Sequence, residues 1–547
     1  MPSMPTPRRA MALLLLLCGS NALADEQSDK VDALFAQWDS TATPGCAVGV
    51  VRDGKTIYER GYGMADLEHG VPISPDSTFY ICSTSKQFTA FGIALLVTRG
   101  VIALDDPIQK YVPDFPGYGT PITVDHLVHH SSGIRDIFTM QALRGEFPGA
   151  TIMKPNDIMT LLKRQKSTNF TPGSDYLYSN SGYFLMGQIV EKATGQTLRE
   201  FAANELFGPL GMSHSVFSDD MGMVIPNRAF GYSRRGGGYA LDMPYLEFVG
   251  DGGLYTSVRD LFRWDQSFYD APFGQEVIDL ALTRGQLSNG VTYDYAFGLG
   301  HQDYRGLHVV AHAGGLNGYR AELMRFPGQK FSVVILANTS EADPTTLAYR
   351  VADIYLADEF TAPAKAAIKH HRGGNSKRYE GKYFHEGSGS VWEAFVKDGK
   401  LNLRRGGWTF ALVPKGDGHF VPEDKLPIRE AEFKKDGTTR TLEMIREGGV
   451  ADVALEMEFS QPAPAALQAY AGSYYSGELD VTATVSVDDT QLRIQSGRGR
   501  VNSVTPTVAD WFSHPFFAVR FDRDGAGKVR GLALFSNRSS GMTFLRK

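Results

Sequence analysis

At 547 residues the chain exceeds what one hydrophobic core fills, so several domains are expected. With 42% hydrophobic and 21% charged residues it has the composition of an ordinary globular protein. A net charge of −6 leaves no electrostatic footprint for nucleic acid or for an anionic membrane surface.

The chain opens with MPSMPTPRRAMALLLLLCGSNALA, which has two arginines, an apolar run from Ala10 to Leu17, and Ala22-Leu23-Ala24. This pattern predicts a secretory signal over residues 1–24, cleaved before Asp25, and hence a periplasmic or secreted protein. The apolar run is too short to span a bilayer, and no other stretch reads as a membrane span. Leu17 before Cys18 makes a poor lipoprotein box, and Arg8-Arg9 lacks the continuation of a twin-arginine signal. After cleavage two cysteines remain. Cys46 and Cys82 either pair in an oxidising compartment or sit as small buried hydrophobes. There is no CxxC and no metal-ligand spacing.

PGCAVGVVRDGKTIYERGYGMAD reads as a hairpin turning at Asp53-Gly54. FYICSTSKQFTAFGIALL, residues 79–96, reads as a helix with Phe88, Phe91, Leu95 and Leu96 on one face and Gly100 as its cap. GYFLMGQIVEKATG, residues 182–195, is a second glycine-terminated helix. SVRDLFRWDQSF has Ser257 with Asp260 three residues on, a capping-box pattern. Strand-like runs follow at HVVAHAGG, YRAELMRFPG and KFSVVILANTS, then a helical TTLAYRVADIYLADEF. Helices at both ends with antiparallel strands between predict an α/β sandwich over residues 25–368.

KHHRGGNSK, residues 369–377, is basic and aperiodic and reads as a linker, with His370 and His371 as linker residues. Beyond it come short alternating runs with turns at Asp398-Gly399, Asp436-Gly437 and Asp524-Gly525, an all-β signature. RYEGKYF and AYAGSYY share a Tyr-x-Gly-x-Tyr pattern, at Tyr379, Gly381, Tyr383 and at Tyr470, Gly472, Tyr474. SQPAPA precedes the second copy. Two small antiparallel β-barrels are predicted, over 378–460 and 465–547.

Three short motifs carry chemistry. Ser83 and Lys86 are three residues apart, so both share one face of the helix start. A serine hydroxyl is a poor nucleophile until a neighbour takes its proton, and a buried lysine held neutral can do so. The helix N-terminus favours developing negative charge. Alone, S-x-x-K also fits an N-cap serine beside a solvated lysine. Tyr178-Ser179-Asn180, in a turn-rich loop before a helix, offers a proton shuttle in Tyr178 and a donor to a substrate amide carbonyl in Asn180. His312-Ala313-Gly314 lies between two strands, where glycine lets a substrate backbone approach. The N–H groups of Gly315 and Ser83 then suit an oxyanion hole. His129 and His130 read as structural loop residues, and RRGGGY, residues 234–239, as a flexible loop. There is no G-x-S-x-G.

In this order, S-x-x-K, Y-x-N and H-x-G resemble the serine β-lactamase and penicillin-binding-protein superfamily, on its class C β-lactamase and D-aminopeptidase branch. HLVHHSSGI, FTPGSDYLYSNSGY and GDGGLYTSVRDLFRW share the resemblance. It implies a β-lactamase/transpeptidase-like antiparallel sheet flanked by helices, followed by two lipocalin-like barrels as in the D-aminopeptidases. It implies Ser83 as acylated nucleophile, Lys86 as its partner, Tyr178 as general base and acid, and His312 with Gly314 as the strand-edge element. The implied function is an acyl-enzyme hydrolase acting on amides of D-amino-acid peptides, a chemistry that needs no metal and no organic cofactor. Alternatives are an esterase or β-lactamase of the same fold, or a non-catalytic penicillin-binding sensor. The substrate is then a small peptide, amide or ester. His312 stands where β-lactamases carry lysine, which favours peptidases over β-lactamases. D-aminopeptidases admit a loop of the last barrel to the site to recognise a free amine. The stretch expected there is QSGRGRVNSVTP, whose Arg498 and Arg500 do not suit an amine.

Overall fold

The computed structural model describes residues 26–147, 151–361, 376–406, 408–423, 428–446, 450–459, 461–488 and 490–547. The expected signal segment and most of the expected linker lie outside the described residues. Among the described residues no helix is long and apolar enough to cross a membrane.

The catalytic region is built on a six-stranded antiparallel sheet. Its strands are β1 (Cys46–Arg52), β2 (Lys55–Tyr62), β3 (Gly300–Tyr304), β4 (Leu307–Leu316), β5 (Tyr319–Phe326) and β6 (Phe331–Ala337), in the order β3-β4-β5-β6-β1-β2. The β1–β2 turn uses Asp53 at φ 50° and Gly54 at φ 73°, the left-handed pair that a tight hairpin requires. FSVVILA is buried throughout because both faces of β6 are covered. Val333 and Ile335 meet the N-terminal helix of residues 26–35 and the helix Pro344–Tyr355 on one face. Val334 and Leu336 point into the larger core on the other. That core surrounds helices α1 (Lys86–Thr98) and α2 (Asn180–Thr194).

Local details refine the sequence reading. Ser83 is not within the α-helix: Cys82–Ser85 form a 3-10 turn, and α1 starts at Lys86. A 3-10 turn eclipses residues i and i+3, so Ser83 and Lys86 still face one another. The Ser257 side chain accepts from Asp260 N at 3.3 Å. The Asp260 carboxylate does not return that bond. It turns to His214 N, Ser215 Oγ and Arg263, so the capping box is only half made. Cys46 and Cys82 are both free, buried thiols on opposite faces of the sheet, so they do not pair.

The tail forms two closed barrels of eight antiparallel strands each, from Gly381–His385 to Ala451–Glu456 and from Gly472–Ser476 to Met542–Arg546. The repeated Tyr-x-Gly-x-Tyr has one physical role in both. Its glycine opens the first strand, and the hydroxyl of the second tyrosine donates to the carbonyl of the first. Tyr383 bonds Tyr379 at 3.0 Å and Tyr474 bonds Tyr470 at 2.6 Å.

Both barrels dock on the catalytic region. The core of the last barrel merges with the catalytic core. The Arg135 guanidinium meets Glu478 at 2.6 Å, with both side chains under 5% exposed. The first barrel attaches through Arg446 to Asp175 at 2.7 Å and Arg429 to Asp294 at 3.0 Å. The barrels touch each other where Phe384 packs edge-on against Trp511, ring centroids 5.3 Å apart.

Candidate active site

The turn carrying Ser83 is held from three sides. Ile81 N donates to Leu254 O at 3.0 Å, Ser85 Oγ to Cys82 O at 2.6 Å, and Thr84 Oγ1 to His312 O at 3.1 Å. These bonds fix Cys82 at φ 51°, a left-handed conformation costly for a side chain. β4 presses on the same turn. A Cβ on Gly314 would stand 2.2 Å from the Ile81 carbonyl oxygen, so only glycine fits there.

Lys86 is fully buried, and its Nζ has three acceptors: Ser83 Oγ at 3.3 Å, Asn180 Oδ1 at 2.8 Å and Asp251 O at 2.5 Å. Three acceptors around one nitrogen fix the direction of the amine. Asn180 opens α2, and its backbone N and Nδ2 both donate to Asp136 Oδ2 at 2.8 Å. Its amide therefore links Lys86 to Asp136. Asp136 in turn caps the helix Ile137–Leu143. The Asp251 carboxyl is pushed up to about 6, chiefly by burial.

Tyr178 lies against this lysine, with Lys86 Nζ 4.9 Å from its ring centroid. Its ring packs on His130, 4.3 Å between centroids. His130 is buried at φ 57°, accepts from Ser179 N at 3.1 Å through Nδ1, and is held well below the usual histidine range by burial. His130 thus supports the tyrosine from behind. His312 bonds Ala313 O through Nδ1 at 2.7 Å and Tyr295 Oη through Nε2 at 3.1 Å. Burial and then Lys86 press its pKa down to about 4, so it is neutral at pH 7. With Nδ1 donating to the carbonyl, Nε2 accepts from the tyrosine.

Ser83, Tyr178, Asn180, His312 and Gly315 line one cleft of about 1330 Å³. Gly314 stands behind it. Both barrels complete the wall, the first with Trp392, Arg405 and Trp408, the last with Phe516, Phe535 and Arg538. The last barrel reaches the site mainly through residues 513–518 and 535–538, and the stretch expected there contributes Thr505 alone to the lining. Gly499 packs against Gly145 and Arg500 over Phe147, which leaves the arginine-bearing part of the QSGRGRVNSVTP stretch out of the cleft lining. Asp136, Asp251, Tyr295 and Arg538 were not singled out from sequence. Asp136 alone carried a usable signal, an N-cap aspartate ahead of the apolar IFTMQAL.

The profile of the Beta-lactamase family matches residues 31–356. A penicillin-binding protein of Bacillus subtilis is 31% identical over 305 residues, which are 53% of this chain and 66% of that protein. A D-aminopeptidase of Cereibacter sphaeroides is 29% identical over 457 residues, 82% of each chain. The chain spans 57% of a second D-aminopeptidase from that species, at 32% identity. The match therefore covers less than two thirds of two of these relatives. Among solved structures, the octameric penicillin-binding protein homologue from Pyrococcus abyssi superposes with a TM-score of 0.56 and 25% identity, covering 78% of this chain and 99% of that one.

Proposed function

Because the chain belongs to the beta-lactamase family, we propose that it is an exported serine hydrolase that cleaves amide bonds of D-amino-acid-containing peptides through an acyl-enzyme on Ser83. The observation that carries this reading is the Lys86 amine held 3.3 Å from Ser83 Oγ beneath the ring of Tyr178. The D-aminopeptidase relatives support the substrate class.

The steps follow from the side chains in place. Ser83 Oγ attacks the carbonyl carbon. Lys86 Nζ, held between Ser83 Oγ, Asn180 Oδ1 and Asp251 O, orients the nucleophile, and Tyr178 beside it takes the proton. The carbonyl oxygen becomes an oxyanion facing the N–H groups of Ser83 and Gly315. The tetrahedral species then collapses, the C–N bond breaks, and Tyr178 returns the proton to the departing nitrogen. Water repeats the sequence on the ester, with Tyr178 again as base. A neutral His312 at the cleft wall shapes the strand edge and is a poor anchor for an anion.

The test is hydrolysis of paired D- and L-aminoacyl p-nitroanilides and p-nitrophenyl esters by the mature protein, with Ser83→Ala as control. D-selective amide cleavage that disappears in the variant supports the proposal. Ester cleavage without amide cleavage would favour an esterase. Turnover that survives Ser83→Ala would refute the nucleophile.

A further inference from the structure

The arginines that join the barrels to the catalytic region have carboxylate partners. Arg135 has Glu478, Arg446 has Asp175, Arg429 has Asp294 and Arg164 has Asp480. Arg538 differs. Its guanidinium lies 4.7 Å above the ring of Tyr178 and lines the cleft, and no carboxylate pairs with it among the described residues.

Its position is built, not incidental. Its carbonyl accepts from Asp136 N at 3.1 Å and from Asn169 Nδ2 at 3.0 Å. The next residues are clamped as well. Ser539 Oγ donates to Asp136 O at 3.3 Å, Ser540 N to Asn169 Oδ1 at 2.9 Å, and Arg135 Nη2 to Ser540 O at 3.0 Å. Asp136 also anchors Asn180, and Asn180 anchors Lys86. The loop of the last barrel and the nucleophile's lysine thus hang on one residue, the loop on the Asp136 backbone and Lys86, through Asn180, on its carboxylate.

A half-buried guanidinium without an anion is an open valence in this cleft. Its neighbour fixes which part of a substrate meets it. Tyr178 is the group that protonates the departing nitrogen, so a cation on its ring lies on the leaving-group side. The position where relatives of this fold carry a lysine holds a neutral His312 here, so the leaving-group side has no other cation from the third motif.

We propose that Arg538 is a specificity-determining residue that binds a carboxylate on the leaving group, so that the preferred substrates release an amino acid bearing its own free carboxylate. The inference rests on the hydrolase reading above. In the step it selects, the Ser83 Oγ–carbonyl bond forms, the peptide C–N bond breaks, and the leaving nitrogen takes the proton from Tyr178. The departing amino acid keeps its carboxylate on Arg538. Substrates recognised by a free N-terminal amine gain nothing from this cation.

The experiment compares N-acetyl-D-alanyl-D-alanine with its C-terminal amide in the full-length mature protein, with p-nitrophenyl ester hydrolysis as a separate measure of Ser83 acylation. The expected result is a kcat/KM at least about tenfold higher for the carboxylate. The ratio should collapse towards one in Arg538→Ala, recover partly in Arg538→Lys, and invert in Arg538→Glu. A wild-type ratio near one overturns the proposal. So does an Arg538→Ala variant that loses both substrates equally and moves the acid limb of the pH profile, since Arg538 would then act on Tyr178. Calorimetric binding of the same two ligands to the Ser83→Ala protein, with and without Arg538→Ala, decides the matter apart from turnover. Equal binding of carboxylate and amide refutes the role of Arg538. A carboxylate preference without any ester or peptide hydrolysis upholds it while refuting the hydrolase.

Discussion

The Cα of Gly314 lies so close to Ile81 that a methyl group on it would sit 2.2 Å from the Ile81 carbonyl oxygen and 2.9 Å from Thr84 Oγ1. The first of these atoms is backbone and cannot swing aside. Gly314→Ala should force β4 away from the Ser83 turn and lower kcat by roughly 100-fold, the scale of an ångström of misplacement. Steady-state kinetics and circular dichroism on the same preparation check it. A folded variant with wild-type kcat would show that the contact does not set the site.

Asn180→Asp places a carboxylate 2.8 Å from Asp136 Oδ2 and removes the amide donor between them. Two carboxylates at that distance cannot both ionise. The variant should lose about 1–3 kcal/mol of stability at pH 8 and regain part of it as the pH falls and the pair comes to share a proton. Thermal melts at pH 8 and pH 5 measure the difference.

Glu478 is the buried partner of Arg135, and its carboxylate also accepts from Lys166 N at 3.0 Å. Burial raises its pKa, but the Lys166 N–H bond and then Arg135 outweigh it and hold the carboxyl below the usual range. Removing one partner of a buried pair leaves the other charge stranded, at about 3–5 kcal/mol. Glu478→Ala should loosen the last barrel, lower the melting temperature, and reduce activity by displacing the Asn537–Ser540 loop. Small-angle scattering reads the undocking directly.

Glu322 is buried on β5, its Oε1 has no hydrogen-bond partner, and burial pushes its carboxyl up to about 7. The folded value exceeds the ordinary 4.5, so this group favours the fold below pH 4.5 and that contribution is lost as the pH rises through 7. Glu322→Gln should therefore stabilise the protein at pH 8, by roughly 1–3 kcal/mol, and change little at pH 4. Melts at the two pH values would expose the opposite sign.

His301 and His312 are both pressed down to about 4 by burial, and His130 is lowered more strongly. Unfolded histidines charge near 6.5, so the stability from keeping these rings neutral is present above that value and is lost as the pH falls from 6.5 through 4. Replacing His301 by Gln should flatten the acid side of the stability curve. Denaturant melts from pH 4 to pH 7 test it.

The parts of the site that were legible in the sequence share one property, that of being local. Ser83 with Lys86 and Tyr178 with Asn180 declare themselves by spacing, because one turn of helix or loop sets their geometry. The twin tyrosines at 379/383 and 470/474 were legible for the same reason, a hydrogen bond across four residues. What stayed hidden is long-range. Asp251 offers Lys86 only a carbonyl oxygen, which any residue could supply. Arg538 reaches the cleft through barrel docking that no periodicity encodes. Arg498 and Arg500 drew attention by charge, yet their loop is held by Gly145 and Phe147. The cysteines offered two readings, and packing decided between them: Cys46 on β1 lies in one core and Cys82 in the 3-10 turn lies in the other.

The clamp between Ser539 and Asp136 joins residues 403 positions apart. At about 5–20 residues per second, a ribosome finishes the loop roughly 20 to 90 seconds after it has made the Ser83 turn. The nucleophile is thus an early product of synthesis and the wall that faces it a late one. Reactivity and selectivity arrive at different times in the life of a single molecule. A chain cut short before residue 478 would carry the nucleophile without the wall that faces it.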